Sequence, residues 1–127
     1  MFTQLVSASM MTFSIENLLM LSIGVMFGAI IGALPGLGTA VAITVCIPFT
    51  LSMDNAPAIA LLLGVYASSV YGGSISAVLL NTPGTPQSAA TVLDGYPMAQ
   101  QGRGSLALGW VTISSVLGGL ISCLFLS

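Results

Sequence analysis

Neutral side-chain oxygens gather in one stretch of the chain, "SISAVLLNTPGTP", which includes Ser74, Asn81, Thr82 and Thr85. Their hydroxyl and amide groups suit either a carboxylate or a cation held by oxygen ligands. Ser74 has an alternative role, because serine hydroxyls within apolar helices commonly bond to their own backbone. The candidate substrate- or ion-binding residues are these four, together with the two residues of the Pro-Gly break between them: Ser74, Asn81, Thr82, Pro83, Gly84 and Thr85.

The rest of the chain limits the chemistry available to such a site. Arg103 is the only basic residue and there is no histidine, so an anion site would have to use backbone amides, hydroxyls and bound cations. The acid–base and nucleophilic groupings of enzymes are missing, since carboxylates are unpaired and no cysteine lies near a base. Cys46 and Cys123 stand alone, without the spacing of a metal site. We expect no enzymatic activity, metal or cofactor.

Composition assigns the chain to the membrane. Apolar residues make up 56% and charged residues only 3% of its 127 residues, whereas soluble domains carry about 25% charged residues. The mean hydropathy is +1.09. We predict an all-α integral membrane protein with several transmembrane helices and Pro-Gly-interrupted or re-entrant segments, and no nucleic-acid partner.

Four apolar segments can be delimited, separated by Pro- and Gly-containing breaks. A span needs about 20 apolar residues, and 39–51 is too short for a full crossing unless it is a half-helix or a tilted span. No polar flank closes the last segment, so we expect the sequence to continue beyond it. The predicted segments are 17–34, 39–51 (partial), 56–80 and 105–127, with a motif loop at 81–104.

A small-residue stripe marks the first span. Gly24, Gly28 and Gly32 recur every four residues, which aligns them on one helix face and allows another backbone to approach closely. This face is predicted to be a helix contact. It also supports an alternative function, a small self-associating pore or structural membrane subunit in which several copies pack through these glycines.

Two Pro-Gly steps interrupt the apolar segments. Pro35 and Gly36 end the first span, and in "NTPGTP" the threonines Thr82 and Thr85 each precede a proline, as a helix N-cap does. We predict a short helix starting at Pro86. Interrupted apolar segments are the best sequence indication of a transporter binding site. The alternative is that 81–97 is an ordinary solvated loop.

Asp94 and Gly95 follow the predicted short helix. Asp-Gly is typical of helix ends, and the Tyr96-Pro97 step that comes next strengthens a prediction that the helix stops there. A carboxylate so close to the second break could instead bind a coupling ion. Both roles remain open for Asp94.

The run "YGGSISAVLLNTPGTPQSAATVLDGYPMAQQGRGSLALG", 71–109, closely resembles the signature of the TctA family, the large membrane subunit of tripartite tricarboxylate transporters. "GALPGLG", 32–38, resembles an earlier glycine-proline motif of that family, and the likeness covers essentially the whole chain. The family's motif positions correspond to Gly32, Pro35, Gly36, Gly38, Tyr71, Gly72, Gly73, Ser74, Asn81, Pro83, Gly84, Asp94, Gly95 and Tyr96.

This resemblance implies a subunit that takes up citrate or related carboxylates across the bacterial inner membrane in a multi-pass fold. It implies a periplasmic solute-binding protein and a small membrane subunit as partners, and Na⁺ or H⁺ as the coupling ion. Family members are several times longer and contain a second, related half. The chain is therefore expected to be the amino-terminal portion of such a transporter.

Overall fold

A computed structural model describes residues 2–126, without the side chains of residues 2, 11 and 12. All elements in this part of the chain are helical, which confirms the all-α prediction. Residue 127, the last of the final predicted span, lies outside the described residues. The elements are α1 Phe2–Thr12, α2 Ile15–Ala33, α3 Gly38–Thr50, α4 Asn55–Leu80, a 3₁₀ turn Pro86–Ser88, α5 Ala89–Gln100 and α6 Gly104–Leu126.

Three of these helices, α2, α4 and α6, are long and apolar enough to cross a membrane, judged by length and composition. α3 has only 13 residues, about 20 Å at 1.5 Å per residue. Local sequence signals start α2 and α4. The Ser14 side chain caps α2 by accepting a hydrogen bond from the Asn17 amide at 3.3 Å, and Pro57 lies in the first turn of α4.

The packing of α2 against α4 forms the centre of the molecule, and the glycine stripe of α2 lies in this contact. A Cβ on Gly24 would meet the Leu61 carbonyl group, and one on Gly32 would lie 2.6 Å from the Cα of Ser69. α4 contributes glycines of its own, since a Cβ on Gly72 would lie 2.6 Å from the Ala29 carbonyl oxygen. Because residue numbers rise together along both helices, α2 and α4 run parallel.

α3 and α6 run in the opposite direction to α4. α3 follows the reversal at the end of α2, and in α6 the successive residues Gly104 and Thr112 lie beside Leu79 and Tyr71 of α4. Ala42 and Cys46 of α3 pack on Val65 in a small buried apolar cluster. The hydroxyl groups of Tyr71 in α4 and Thr112 in α6 are hydrogen-bonded at 2.8 Å. α6 otherwise presents an exposed apolar surface, and of its described side chains only Ala107 is buried.

The predicted stop at Asp94-Gly95 and Tyr96-Pro97 is wrong, because α5 continues through these residues to Gln100. Tertiary packing outweighs local propensity here. Gly95 is buried, and a Cβ on it would lie 2.8 Å from Cγ2 of Val78. Because glycine has no side chain, α5 can pack closely against α4 at this position. The helix ends at Gln100 instead, and Gly102, two residues further on, has φ +77°. The amides of Gly102 and Arg103 bond to the carbonyls of Ala99 and Met98, the Schellman arrangement.

Candidate binding cavity at the two Pro-Gly breaks

The first break forms a tight tip between α2 and α3. α2 ends at Ala33, and the backbone then passes through Gly36 at φ +91° and Gly38 at φ +68°. Residues other than glycine rarely adopt such φ angles, which explains why glycine occupies these two positions in "GALPGLG". α3 begins at Gly38, so the break is a sharp reversal between two helices.

The second break folds back along the helix that precedes it. Asn81, at φ 58°, terminates α4 in the left-handed conformation that asparagine tolerates better than most residues. The chain then reverses until the Gly84 amide donates a hydrogen bond to the carbonyl of Gly73 at 3.3 Å. A Cβ on Gly84 would meet the Gly32 carbonyl oxygen and lie 2.7 Å from Oγ of Ser76. The loop therefore packs closely between α4 and the end of α2.

Successive residues of "YGGS" contact different neighbours. Tyr71 bonds to α6 through Thr112, and Gly72 lies against the end of α2. Gly73 faces the returning loop, where an added Cβ would lie 2.8 Å from the amide nitrogen of Thr85. The two adjacent glycines thus allow two separate backbones to approach α4 at one level.

The Thr85 hydroxyl and backbone organise the start of the next helix, as its position before Pro86 predicted. The Thr85 amide donates to Oγ of Ser88 at 3.3 Å, and the Ser88 hydroxyl donates to the Thr85 carbonyl at 2.8 Å. Both side chains are buried. The corresponding prediction for Thr82 is wrong, because no helix starts at Pro83 and the exposed Thr82 hydroxyl bonds to the Leu80 carbonyl instead.

The two breaks line one cavity of about 710 Å³. Residues 36–40 and Ile43 come from the first break and α3, residues 83–87 come from the second, and Tyr66 comes from α4. The volume falls in the range of about 300–1,000 Å³ typical of small-molecule sites. None of these lining residues is charged. The cavity can offer a ligand backbone amides and carbonyls, hydroxyls and the Gln87 amide.

Thr39, which was not predicted from the sequence, is a buried polar residue among those that line this cavity. Its side chain is 9% exposed, and its Oγ1 has no hydrogen-bond partner among the described residues. An unsatisfied buried hydroxyl costs about 1–3 kcal/mol. Its position directly after "PGLG", in the first turn of a new helix, is the sequence feature that could have indicated it.

The structure brings together only part of the predicted binding set. Pro83, Gly84 and Thr85 line the cavity, as do Gly36 and Gly38 of the first motif. Ser74, Asn81 and Thr82 are absent from the lining: Ser74 is buried within α4, and Asn81 and Thr82 are exposed at the turn after it. Tyr66 and Gln87 take part without having been predicted.

Asp94 lies elsewhere, in the middle of α5. It lines a separate cavity of about 450 Å³ between α5 and α6, where Thr91 and Ser114 supply hydroxyl groups. The helix continues past Asp94, so its predicted role as a helix end is wrong. A role for Asp94 in ion binding stays a prediction.

Comparisons with known proteins agree with the sequence motifs. The profile of the "Tripartite tricarboxylate transporter TctA family" matches residues 18–127. A curated relative from Agrobacterium vitis, the "Uncharacterized 52.8 kDa protein in TAR-I ttuC' 3'region", is 36% identical over 111 residues. The match covers 87% of this chain and 22% of the relative, so the chain spans about a fifth of that protein's length. No solved structure matches the chain significantly.

Proposed function

Because the chain belongs to the tripartite tricarboxylate transporter TctA family, we propose that it works as the first part of a transporter's large membrane subunit, in the bacterial inner membrane. The proposed reaction is uptake of citrate or a related carboxylate, driven by a gradient of Na⁺ or H⁺. A periplasmic binding protein delivers the substrate, and a small membrane subunit completes the complex. Both partners are proposed from the family to which the chain belongs.

The meeting of two helix breaks beside α4 carries this proposal. α2 runs parallel to α4, so the first break, at the carboxyl end of α2, lies beside the later part of α4. The loop at 81–85 follows the carboxyl end of α4 and folds back to the same level. They meet near Gly73, about 10 Å short of the end of α4 at 1.5 Å per residue. Irregular backbone at such a depth is tolerated where it lines a cavity, and transporters bind their substrates at such breaks.

The alternative of a self-associating pore was based on packing between copies of the chain through the glycine stripe, and the structure places this stripe in a contact within one chain. Gly28 and Gly32 are buried against α4 of the same chain, where an added Cβ on Gly28 would meet Ser68 and Val65. The stripe is therefore used within the protomer. A transport site formed with the remaining parts of a longer protein accounts better for the open, uncharged cavity.

Uptake by the complete transporter tests this proposal. Proteoliposomes holding the full large subunit and its small partner would be given labelled citrate, with and without the binding protein. We expect accumulation only when the binding protein and an inward Na⁺ or H⁺ gradient are both present. Gradient-independent leakage of ions and citrate through the large subunit alone would instead identify a pore.

A further inference from the structure

We propose that the Tyr66 hydroxyl and the Gln87 side-chain amide donate hydrogen bonds to the carboxylates of the transported anion. This inference rests on the proposed function and specifies which side chains of the cavity at the two breaks hold the substrate. It leaves the coupling ion to a different part of the transporter.

Four of the residues that line the cavity have polar side chains, and only two of these are accessible to a ligand. The Thr39 hydroxyl oxygen is buried. Thr85 is 2% exposed, and its hydroxyl lies 3.3 Å from Oγ of Ser88. Tyr66, by contrast, is 50% exposed, and Gln87 is exposed as well. Of the lining side chains, Tyr66 and Gln87 therefore supply the polar groups that a ligand can reach.

Both groups have hydrogen-bonding capacity that the described part of the chain leaves unused. Elsewhere, the Tyr96 hydroxyl accepts a hydrogen bond from the Gln100 side-chain amide at 3.1 Å, so these two side chains are partners of each other. The Tyr66 hydroxyl and the Gln87 amide have no hydrogen-bond partner among the described residues. Each can donate to a ligand without giving up an existing bond.

The position of Tyr66 along α4 makes its unpaired hydroxyl significant. α4 runs from Asn55 to Leu80 and is long and apolar enough to cross a membrane. Tyr66 lies roughly 16 Å from the start of this helix at 1.5 Å per residue, near the middle of a hydrocarbon core of about 30 Å. Tyrosine is enriched instead at membrane surfaces, where its hydroxyl meets water, and a polar group without a partner in hydrocarbon is costly. A polar ligand in the cavity would satisfy this hydroxyl.

The lining suits a carboxylate that is bound by neutral donors. None of the lining residues is charged, and Arg103 lies in the connection between α5 and α6, outside the lining. A phenol O–H and a primary amide N–H both donate to carboxylate oxygens, and hydrogen bonds to a charged acceptor are the stronger kind. Tyr66 comes from α4 and Gln87 from the 3₁₀ turn after the second break. An anion with several carboxylates can therefore engage donors from two separate elements.

The test removes one donor at a time in the complete transporter, with Tyr66→Phe and Gln87→Met. The matched controls, Tyr96→Phe and Gln100→Met, make the same changes at the hydrogen-bonded pair outside the cavity. Titration calorimetry on the purified protein would give the Kd of citrate and of propane-1,2,3-tricarboxylate, which lacks the citrate hydroxyl. Citrate uptake and its dependence on Na⁺ and H⁺ would be measured in parallel.

Loss of a hydrogen bond to a charged group corresponds to a rise in Kd of about tenfold or more. We expect this rise for both ligands in Tyr66→Phe and in Gln87→Met. Both controls should keep Kd values near those of the wild type, and the half-saturation by the coupling ion should not change in any variant.

The outcomes separate this inference from the proposed function. Uptake by the wild type with unaltered Kd values in correctly folded Tyr66→Phe and Gln87→Met would overturn the two donors and leave the transport function standing. Binding to the wild type without uptake, weakened by both substitutions, would support the donors and contradict the transport function. Absence of carboxylate binding to the wild type would contradict both.

Three further results would assign the side chains to other partners and overturn the inference. A rise in Kd confined to citrate would mean that they bond to its hydroxyl. A changed half-saturation by Na⁺ or H⁺ with unchanged carboxylate affinity would indicate a cation site. A lower melting temperature of Tyr66→Phe with unchanged Kd values would indicate that the Tyr66 hydroxyl bonds to another part of the transporter.

Discussion

The Gly84 amide donates a hydrogen bond to the carbonyl of Gly73 at 3.3 Å, so the second Pro-Gly break reaches back along α4 to the level of Gly73. The same step places Gly84 beside the Gly32 carbonyl oxygen, so α2, α4 and the loop all meet at one point. Three backbones can approach this closely because all three residues are glycines. The shape of the cavity depends on this junction.

Replacing Gly84 by alanine is expected to displace the loop. The new Cβ would meet the Gly32 carbonyl oxygen and lie 2.7 Å from Oγ of Ser76, so either the loop or the end of α2 must move. Overpacking of this kind costs about 1–3 kcal/mol. We expect a lower melting temperature in detergent and loss of citrate uptake by the complete transporter. Gly109→Ala is the control, since the Gly109 position faces open space. Wild-type uptake by Gly84→Ala would show that this junction is not needed for transport.

Replacing Gly28 by alanine should separate α2 from α4. A Cβ there would meet the Ser68 hydroxyl and lie 2.8 Å from Cα of Val65, and neither helix backbone can yield locally. We expect aggregation or a clear loss of monodisperse protein in fluorescence-detected size-exclusion chromatography. Gly118→Ala in α6, which has no neighbour within 4 Å, should behave like the wild type. Equal profiles for both variants would contradict the parallel α2–α4 contact.

Replacing Gly102 by alanine tests backbone conformation alone. Gly102 has φ +77° and no neighbouring atom within 4 Å of an added Cβ, so steric crowding plays no part. The left-handed conformation costs a residue with a Cβ about 1–2 kcal/mol. We expect a modest fall in melting temperature for Gly102→Ala and a smaller one for Gly102→Asn, because asparagine tolerates this region. The reverse order would argue against the Schellman ending of α5.

The Tyr71–Thr112 hydrogen bond should couple α4 to α6. Tyr71→Phe removes one hydroxyl and Thr112→Val the other, and the double variant completes a mutant cycle. Hydrogen bonds between membrane helices contribute about 0.6 kcal/mol on average. We expect a coupling energy of that order from reversible unfolding in mixed micelles. Additive effects of the two substitutions would mean that the bond contributes nothing to the folded state.

Much of the architecture was determined by the sequence itself. Apolar runs with almost no charge can satisfy their backbone polar groups in a membrane only as helices or closed barrels, and their length and caps indicated helices. The spacing of Gly24, Gly28 and Gly32 identified a contact face, because a period of four residues places small side chains on one side of a helix. Thr85 and Pro86 indicated a helix start for similarly local reasons.

Only the tertiary structure decided how these parts combine. The sequence could not show that the two breaks approach the same level of α4, since this depends on α2 and α4 packing in parallel through contacts between distant residues. The continuation of α5 past Asp94 follows from the packing of Gly95 on Val78, which outweighs a local stop signal. The burial of Thr39 beside the cavity has the same origin. Its hydroxyl is unpaired because of where the preceding break leaves the backbone, and burial around the cavity is a property of the folded chain alone.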